Sequence, residues 1–177
     1  MSVIDSFGPV VSGSGAGRSV LHVRDVGGEF RPATSDEVFE AARLALARKF
    51  RRGSSFTSPG DVSDFLRTKL ARLEHEVFAV MLLDTRHRLI EYVEIFRGTI
   101  DGAAVHPREV VKLALMKNAA AMILAHNHPS GVAEPSESDR LITRRLQEAL
   151  ALVEVRVLDH IVIGADSHVS LAARGWI

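Results

Sequence analysis

The chain has 177 residues, 46% of them hydrophobic and 25% charged, enough for one ordinary domain with a real core and a small appendage. Its 22 basic and 22 acidic residues cancel, which excludes the broad basic excess of a dedicated nucleic-acid binder. It holds no cysteine, so disulfides, thiol nucleophiles and Cys-held zinc are excluded, and any metal must be held by His, Asp and Glu.

Residues 1–33 are rich in Gly and Ser around Gly8–Gly15 and read as a flexible segment, with one short strand near Val20–Val23. The N-terminus lacks a Lys/Arg start followed by an apolar core, and no apolar run reaches the roughly 18 residues of a membrane span. The expectation is a cytoplasmic chain that makes no use of a membrane. A helix begins at Thr34, which has capping-box spacing to Glu37. Val38, Ala41, Ala42, Ala45 and Leu46 form its apolar stripe, and Gly53 is its stop. The basic run Arg48–Arg52 reads first as charge suited to a helix C-terminus, with a partner-binding patch as the lesser alternative. Residues 34–57 are thus a helix and linker. A second helix starts at Ser58-Pro59, with Ser58 as cap and Pro59 in the first turn, and opens the main domain, 58–177. Val62, Phe65, Leu66, Leu70 and Leu73 mark its buried face.

From Glu76 the pattern changes. Val77–Leu83 is almost continuously apolar, as in a strand buried on both faces. Leu89–Phe96 is a second strand, ended by Gly98-Thr99. Pro107 opens a helix that ends near Asn118, and Ala121–Ala125 is a short buried strand running into His126. Ser136 caps the next helix, with Leu141, Ile142, Leu146, Ala149 and Leu150 facing inward. Val155–Ile163 and His168–Leu171 are final strands. Interleaved strands and helices give an α/β or α+β class with one mixed sheet.

The chemistry concentrates at His126-Asn127-His128-Pro129. In extended backbone, residues i and i+2 point to one side, so two imidazoles can reach one cation. They stand where a buried strand ends in a loop, the usual place for sites in open sheets. Asp139, in the first turn of the following helix, can supply a third ligand oxygen. The fourth tetrahedral position would then stay open for water, as in catalytic zinc sites. Ser136 and Asp139 also have ordinary helix-cap spacing, which accounts for both without a metal. The letters His-Asn-His do not make an HNH nuclease, whose residues are spread over a longer ββα-metal unit.

His126-Asn127-His128-Pro129-Ser130-Gly131 followed by Pro135-Ser136-Glu137-Ser138-Asp139 resembles the JAMM signature of JAB/MPN metalloproteases, and is most similar to the bacterial RadC-like branch. Glu76-Val77-Phe78, Gly98-Thr99, Val105–Val110 and Asp159–Gly164 fall in that family's order, so the resemblance spans roughly Ser58 to Ile177. It implies a JAB/MPN-like, cytidine-deaminase-like curved mixed sheet flanked by helices, with a short helical N-terminal extension. It implies Zn2+ on His126, His128 and Asp139, with catalytic roles for Glu76 and Ser136. Glu76 would be the general base and Ser136 the oxyanion donor. Glu74 is the nearby competitor for the base. Asn127 reads as orienting the loop, and His160 beside Asp159 either as a group supporting a metal ligand from behind or as a strand-end pair. His22, His75, His87, His106 and His168 carry no convincing spacing. The implied activity is hydrolysis of a peptide or isopeptide bond in a peptide or protein substrate. The alternative is a DNA repair or recombination accessory protein of the RadC type. Full-length RadC-like proteins carry a longer N-terminal region resembling a helix-hairpin-helix unit. The first 57 residues here are too short for that and lack its hairpin glycines, so nucleic acid is a weakly supported partner.

Overall fold

In a computed structural model, residues 21–25, 27–49, 56, 58–98 and 105–177 are described, the side chains of 46–49 excepted. The chain divides into two compact units, Met1–Lys49 and Phe50–Ile177. The division falls a few residues before the expected one, and each unit is taken by itself. Among the described residues, no helix is long and apolar enough to cross a membrane.

In the first unit, β1 (His22–Arg24) and β2 (Phe30–Pro32) pair antiparallel. The tail of the segment expected to be flexible therefore holds a hairpin. Its turn is closed by the Asp25 carboxylate, which accepts from Glu29 N, and by Gly28 at φ 88°, a left-handed conformation that suits glycine. Helix α1 (Ser35–Lys49) follows, with Thr34 outside as its cap. The capping box is complete: Glu37 N donates to Thr34 Oγ1 (3.3 Å) and Thr34 N to Glu37 Oε2 (2.9 Å). Arg31 adds two bonds to the same carboxylate, at 2.9 and 2.6 Å. The expected apolar stripe is only partly right. Val38 and Ala41 are half-buried, but Ala42 and Ala45 are exposed. The side chains of Leu46, Arg48 and Lys49, and residues 50–53 with the rest of the basic run and the Gly53 stop, lie outside the described residues.

In the second unit, α2 (Pro59–Leu70) starts as expected. Ser58 Oγ accepts from Asp61 N at 3.2 Å, and Val62, Phe65, Leu66 and Leu70 are buried. The sheet that follows has five strands in the order β4-β3-β5-β6-β7, namely Leu89–Arg97, Val77–Leu83, Ala121–Asn127, Arg156–Ile163 and His168–Ser170. Only β5 and β6 run parallel; the other neighbours are antiparallel, so the sheet is mixed. Every residue of β3 and of β5 is buried, which explains the continuous apolar runs of these central strands. Full burial of each large aliphatic side chain there is worth about 1.5–3 kcal/mol.

The two faces have different cover. Phe78, Val80, Leu82, Met122 and Leu124 pack with α3 (Pro107–Met116) and α4 (Glu137–Ala151) through Val110, Ala114, Leu146 and Leu150. Helix α2 lies against β5 and β6 on the opposite face. On α4, Leu141 was expected inside and is 52% exposed, while Thr143 is buried. Measured from Asp139, the positions that return to the sheet at about 3.6 residues per turn are Thr143, Leu146 and Leu150, and Leu141 falls on the far side.

Candidate metal centre

Strand β5 extends two residues further than expected, so His126 and Asn127 end it and His128 follows directly. Alternation then sends both imidazoles to the α3/α4 face and the Asn127 side chain to the other. His128 is held in place by its backbone N–H, which donates to Ile163 O at 2.9 Å. Gly131, at φ 84°, turns the chain back towards Pro135. Ser136 caps α4 and sets Asp139 in its first turn.

These elements bring three candidate ligands together. His126 Nε2 lies 3.0 Å from His128 Nε2 and 3.2 Å from Asp139 Oδ1, and His128 Nε2 lies 3.6 Å from Asp139 Oδ2. A tetrahedral zinc about 2.0–2.1 Å from each ligand holds donor atoms roughly 3.3 Å apart. Among the described residues, His126, His128 and Asp139 are the one group of three that could hold a metal ion.

The outer bonds decide which ring atoms face the cluster. Thr143 Oγ1 is 2.5 Å from Asp139 O, a pure acceptor, so the hydroxyl spends its only hydrogen there. It can then only accept from His160, whose Nδ1 is 2.6 Å away. Burial holds the fully buried His160 neutral, its pKa well below the usual range, and the nearby His126 adds to this. His160 Nε2 therefore lacks a hydrogen and accepts from His126 Nδ1 at 2.8 Å. His128 Nδ1 donates to Val132 O at 2.8 Å. Both rings thus turn their hydrogens outward and offer Nε2 inward. Three acceptors face one another at short range, an arrangement that fits a cation between them.

The charges agree. Burial by itself would raise the Asp139 pKa, but where a proton rather than a metal cation stands between the three groups, hydrogen bonds with His126, His128 and Ser136 hold it far below the carboxylate range. The hydrogen bond with Asp139 raises His128 against partial burial, with a smaller contribution from Glu76. Without a metal, a proton takes the same place, and the two compete.

Glu76 stands directly before β3. Extending the β3–β5 register, in which Phe78 faces His126, puts Glu76 opposite His128. Phe78, two residues on, stacks against the His126 ring with centroids 6.3 Å apart. Glu76 O accepts from Gly98 N at 2.8 Å, at the end of β4. Glu74 is exposed. Ser136 is fully engaged in a capping box: its hydroxyl donates to Asp139 Oδ2 (2.7 Å) and accepts from Asp139 N (3.1 Å). The helix-cap account of the Ser136–Asp139 spacing is therefore right, and the same cap aims the Asp139 carboxylate.

Three residues gain a part that the spacing alone did not assign. His160 joins the cluster, while its neighbour Asp159 binds Ser170 Oγ (2.6 Å) and Ala172 N (3.0 Å) and ties β6 to the chain beyond β7. Thr143 closes the chain of bonds behind His126; a polar residue four after Asp139, in an otherwise apolar stripe, was the available signal. Asn127 is 2% exposed and bonds the segment that carries Glu76. Of the remaining histidines, His87 contacts Arg156 and His106 packs its ring on Phe96, and neither belongs to the group of three.

Residues 56–176 match the model of the family described as RadC-like JAB domain. A UPF0758 protein of Thioalkalivibrio sulfidiphilus is 59% identical over 150 residues, covering 85% of this chain and 67% of the relative. A UPF0758 protein of Vibrio cholerae is 55% identical over 145 residues, covering 82% and 91%. One from Marinobacter nauticus is 54% identical over 158 residues, covering 89% and 70%.

Proposed function

The chain belongs to the RadC-like JAB domain family, and on that premise we propose that it is a zinc-dependent hydrolase of the JAMM type that cleaves a peptide or isopeptide bond. The observation that carries the reading is the orientation of the cluster: two Nε2 atoms and a carboxylate converge, with every competing ring hydrogen bonded outward.

His126, His128 and Asp139 would hold the ion and leave one position open. A bound zinc supplies Lewis acidity and lowers the pKa of a water it holds to about 7. Glu76 is the base. It takes a proton from the attacking water and delivers it to the leaving nitrogen as the C–N bond breaks, so the proton count closes. Ser136 is the oxyanion donor. To act, its hydroxyl swings away from Asp139 Oδ2, which keeps the bond from Ser136 N at 2.7 Å. The DNA-accessory alternative leaned on the run Arg48–Arg52. That run lies outside the family match, and its side chains lie outside the described residues.

The test is a peptide and isopeptide library screened with the purified protein, with chelator, and with zinc restored. Cleavage that chelator removes and zinc restores is expected. Glu76→Gln should keep zinc and lose turnover. Unchanged turnover in that variant would show another base, and cleavage indifferent to chelator would refute the metal-dependent reading.

A further inference from the structure

We propose that Asn127 is a positioning residue, a side-chain clamp that holds the Glu76 backbone in fixed relation to the two metal-binding imidazoles. The inference rests on the hydrolase reading of the site and adds the part that keeps its base in place.

The segment from Leu73 to Glu76 links α2 to β3 and belongs to neither a helix nor a strand. The β3–β5 backbone ladder starts only at Phe78, opposite His126. Where that ladder stops, the Asn127 side chain takes over. Its Oδ1 accepts from Val77 N at 2.8 Å, and its Nδ2 donates to His75 O at 3.0 Å and to Leu73 O at 3.3 Å. Both amide hydrogens and the carbonyl are used, and the side chain is 2% exposed. The backbone groups on both sides of Glu76 are thus bonded to a single side chain.

The sequence position of that side chain matters. Asn127 sits between His126 and His128, and strand alternation gives the three residues divided tasks. The flanking rings face the cluster, and the middle amide faces the chain entering β3. Any movement of β5 carries the two imidazoles and the base together. The chemistry also selects the residue. The clamp needs one acceptor and two donors on a short side chain. Aspartate keeps the shape but has no donor, and would leave two carbonyls facing a carboxylate.

A metal probe tests this without a substrate. Co2+ is titrated into wild type, Glu76→Gln and Asn127→Asp, and the visible spectrum is followed against pH. Asn127→Asp is expected to bind about one Co2+ per chain, since the ligands are untouched. The pH midpoint of its spectral change should move in the same direction as in Glu76→Gln. A midpoint equal to wild type, with Glu76→Gln displaced, overturns the clamp and leaves the metal reading standing. A wild type that binds no Co2+, or a Glu76→Gln midpoint equal to wild type, overturns the site reading and the clamp with it. If Asn127→Asp does not fold, amide exchange in wild type decides. Zn2+ should slow the Val77 amide more than the Val80 amide of the same strand, and equal slowing overturns the clamp.

Discussion

The Thr143 hydroxyl lies 2.6 Å from His160 Nδ1, and that contact closes a ring of bonds around the cluster. Thr143 also holds the Asp139 carbonyl, and His160 holds His126, so one hydroxyl stands behind two of the three ligands. Thr143→Val keeps the shape and removes the hydroxyl. His160 then loses the acceptor that fixes its tautomer, and zinc affinity should fall by about 10–100-fold, the usual effect of losing an outer-shell partner. Thr143→Ser should retain most of the affinity. Competition with a zinc-sensitive dye measures both, and equal affinity for Thr143→Val would contradict the ring.

Ser136 has two tasks that a pair of variants separates. Ser136→Ala removes the helix cap and should cost about 1 kcal/mol of stability, whereas Ser136→Gly should cost only a few tenths. Both lack the oxyanion donor, so both should lower turnover of an identified amide substrate by about 10²–10³-fold. Denaturant midpoints and kcat read the two effects. Turnover that tracks stability alone would reduce Ser136 to a cap.

Gly164 supports the ligand loop from behind. A Cβ there would stand 2.9 Å from Ala133 N and closer still to Gly131 O, both backbone atoms with little freedom to yield. Gly164→Ala should therefore destabilise the protein by about 1–3 kcal/mol, as overpacking does. Since the displaced loop carries Val132 O, the acceptor for His128 Nδ1, zinc affinity should fall as well. Unfolding and zinc titrations check both. A variant with wild-type values in each would show that the loop moves freely.

The first unit has its own pH dependence. The Arg31 hydrogen bond, then that from Thr34, lowers the Glu37 pKa from 4.5 to about 2. A depressed carboxyl stabilises the folded form above its ordinary value and loses that contribution as pH falls through the folded one. The first turn of α1 should hold at pH 5 and loosen between pH 4.5 and about 2. The Glu37 carboxyl carbon shift, followed by NMR, should titrate near the lower end. A midpoint at 4.5 would mean that the Arg31 and Thr34 bonds do not persist in solution.

Much of this site is legible in the sequence, for local reasons. His126 and His128 share a face because strand alternation is a property of backbone geometry. Ser136 and Asp139 share a helix turn because capping is local. The Val77–Leu83 and Ala121–Ala125 runs announce buried central strands. Less legible is whatever depends on how distant segments meet. His160 lies 34 residues from His126 and reaches it only because β6 pairs parallel beside β5. Asn127 clamps a segment about 50 residues earlier, which no spacing rule anticipates. Leu141 was misplaced for a different reason. The apolar pattern places Leu146 and Leu150 rightly, but the buried face is phased from Asp139 and admits the polar Thr143, which leaves Leu141 on the outside.

Zinc stoichiometry tests the central claim most directly. Wild-type protein, loaded with zinc and desalted, should carry about one zinc per chain by elemental analysis. The double variant His126→Ala, Asp139→Ala, checked for folding by circular dichroism, should carry none. Stoichiometric zinc retained by that folded double variant would contradict the assignment of the metal centre.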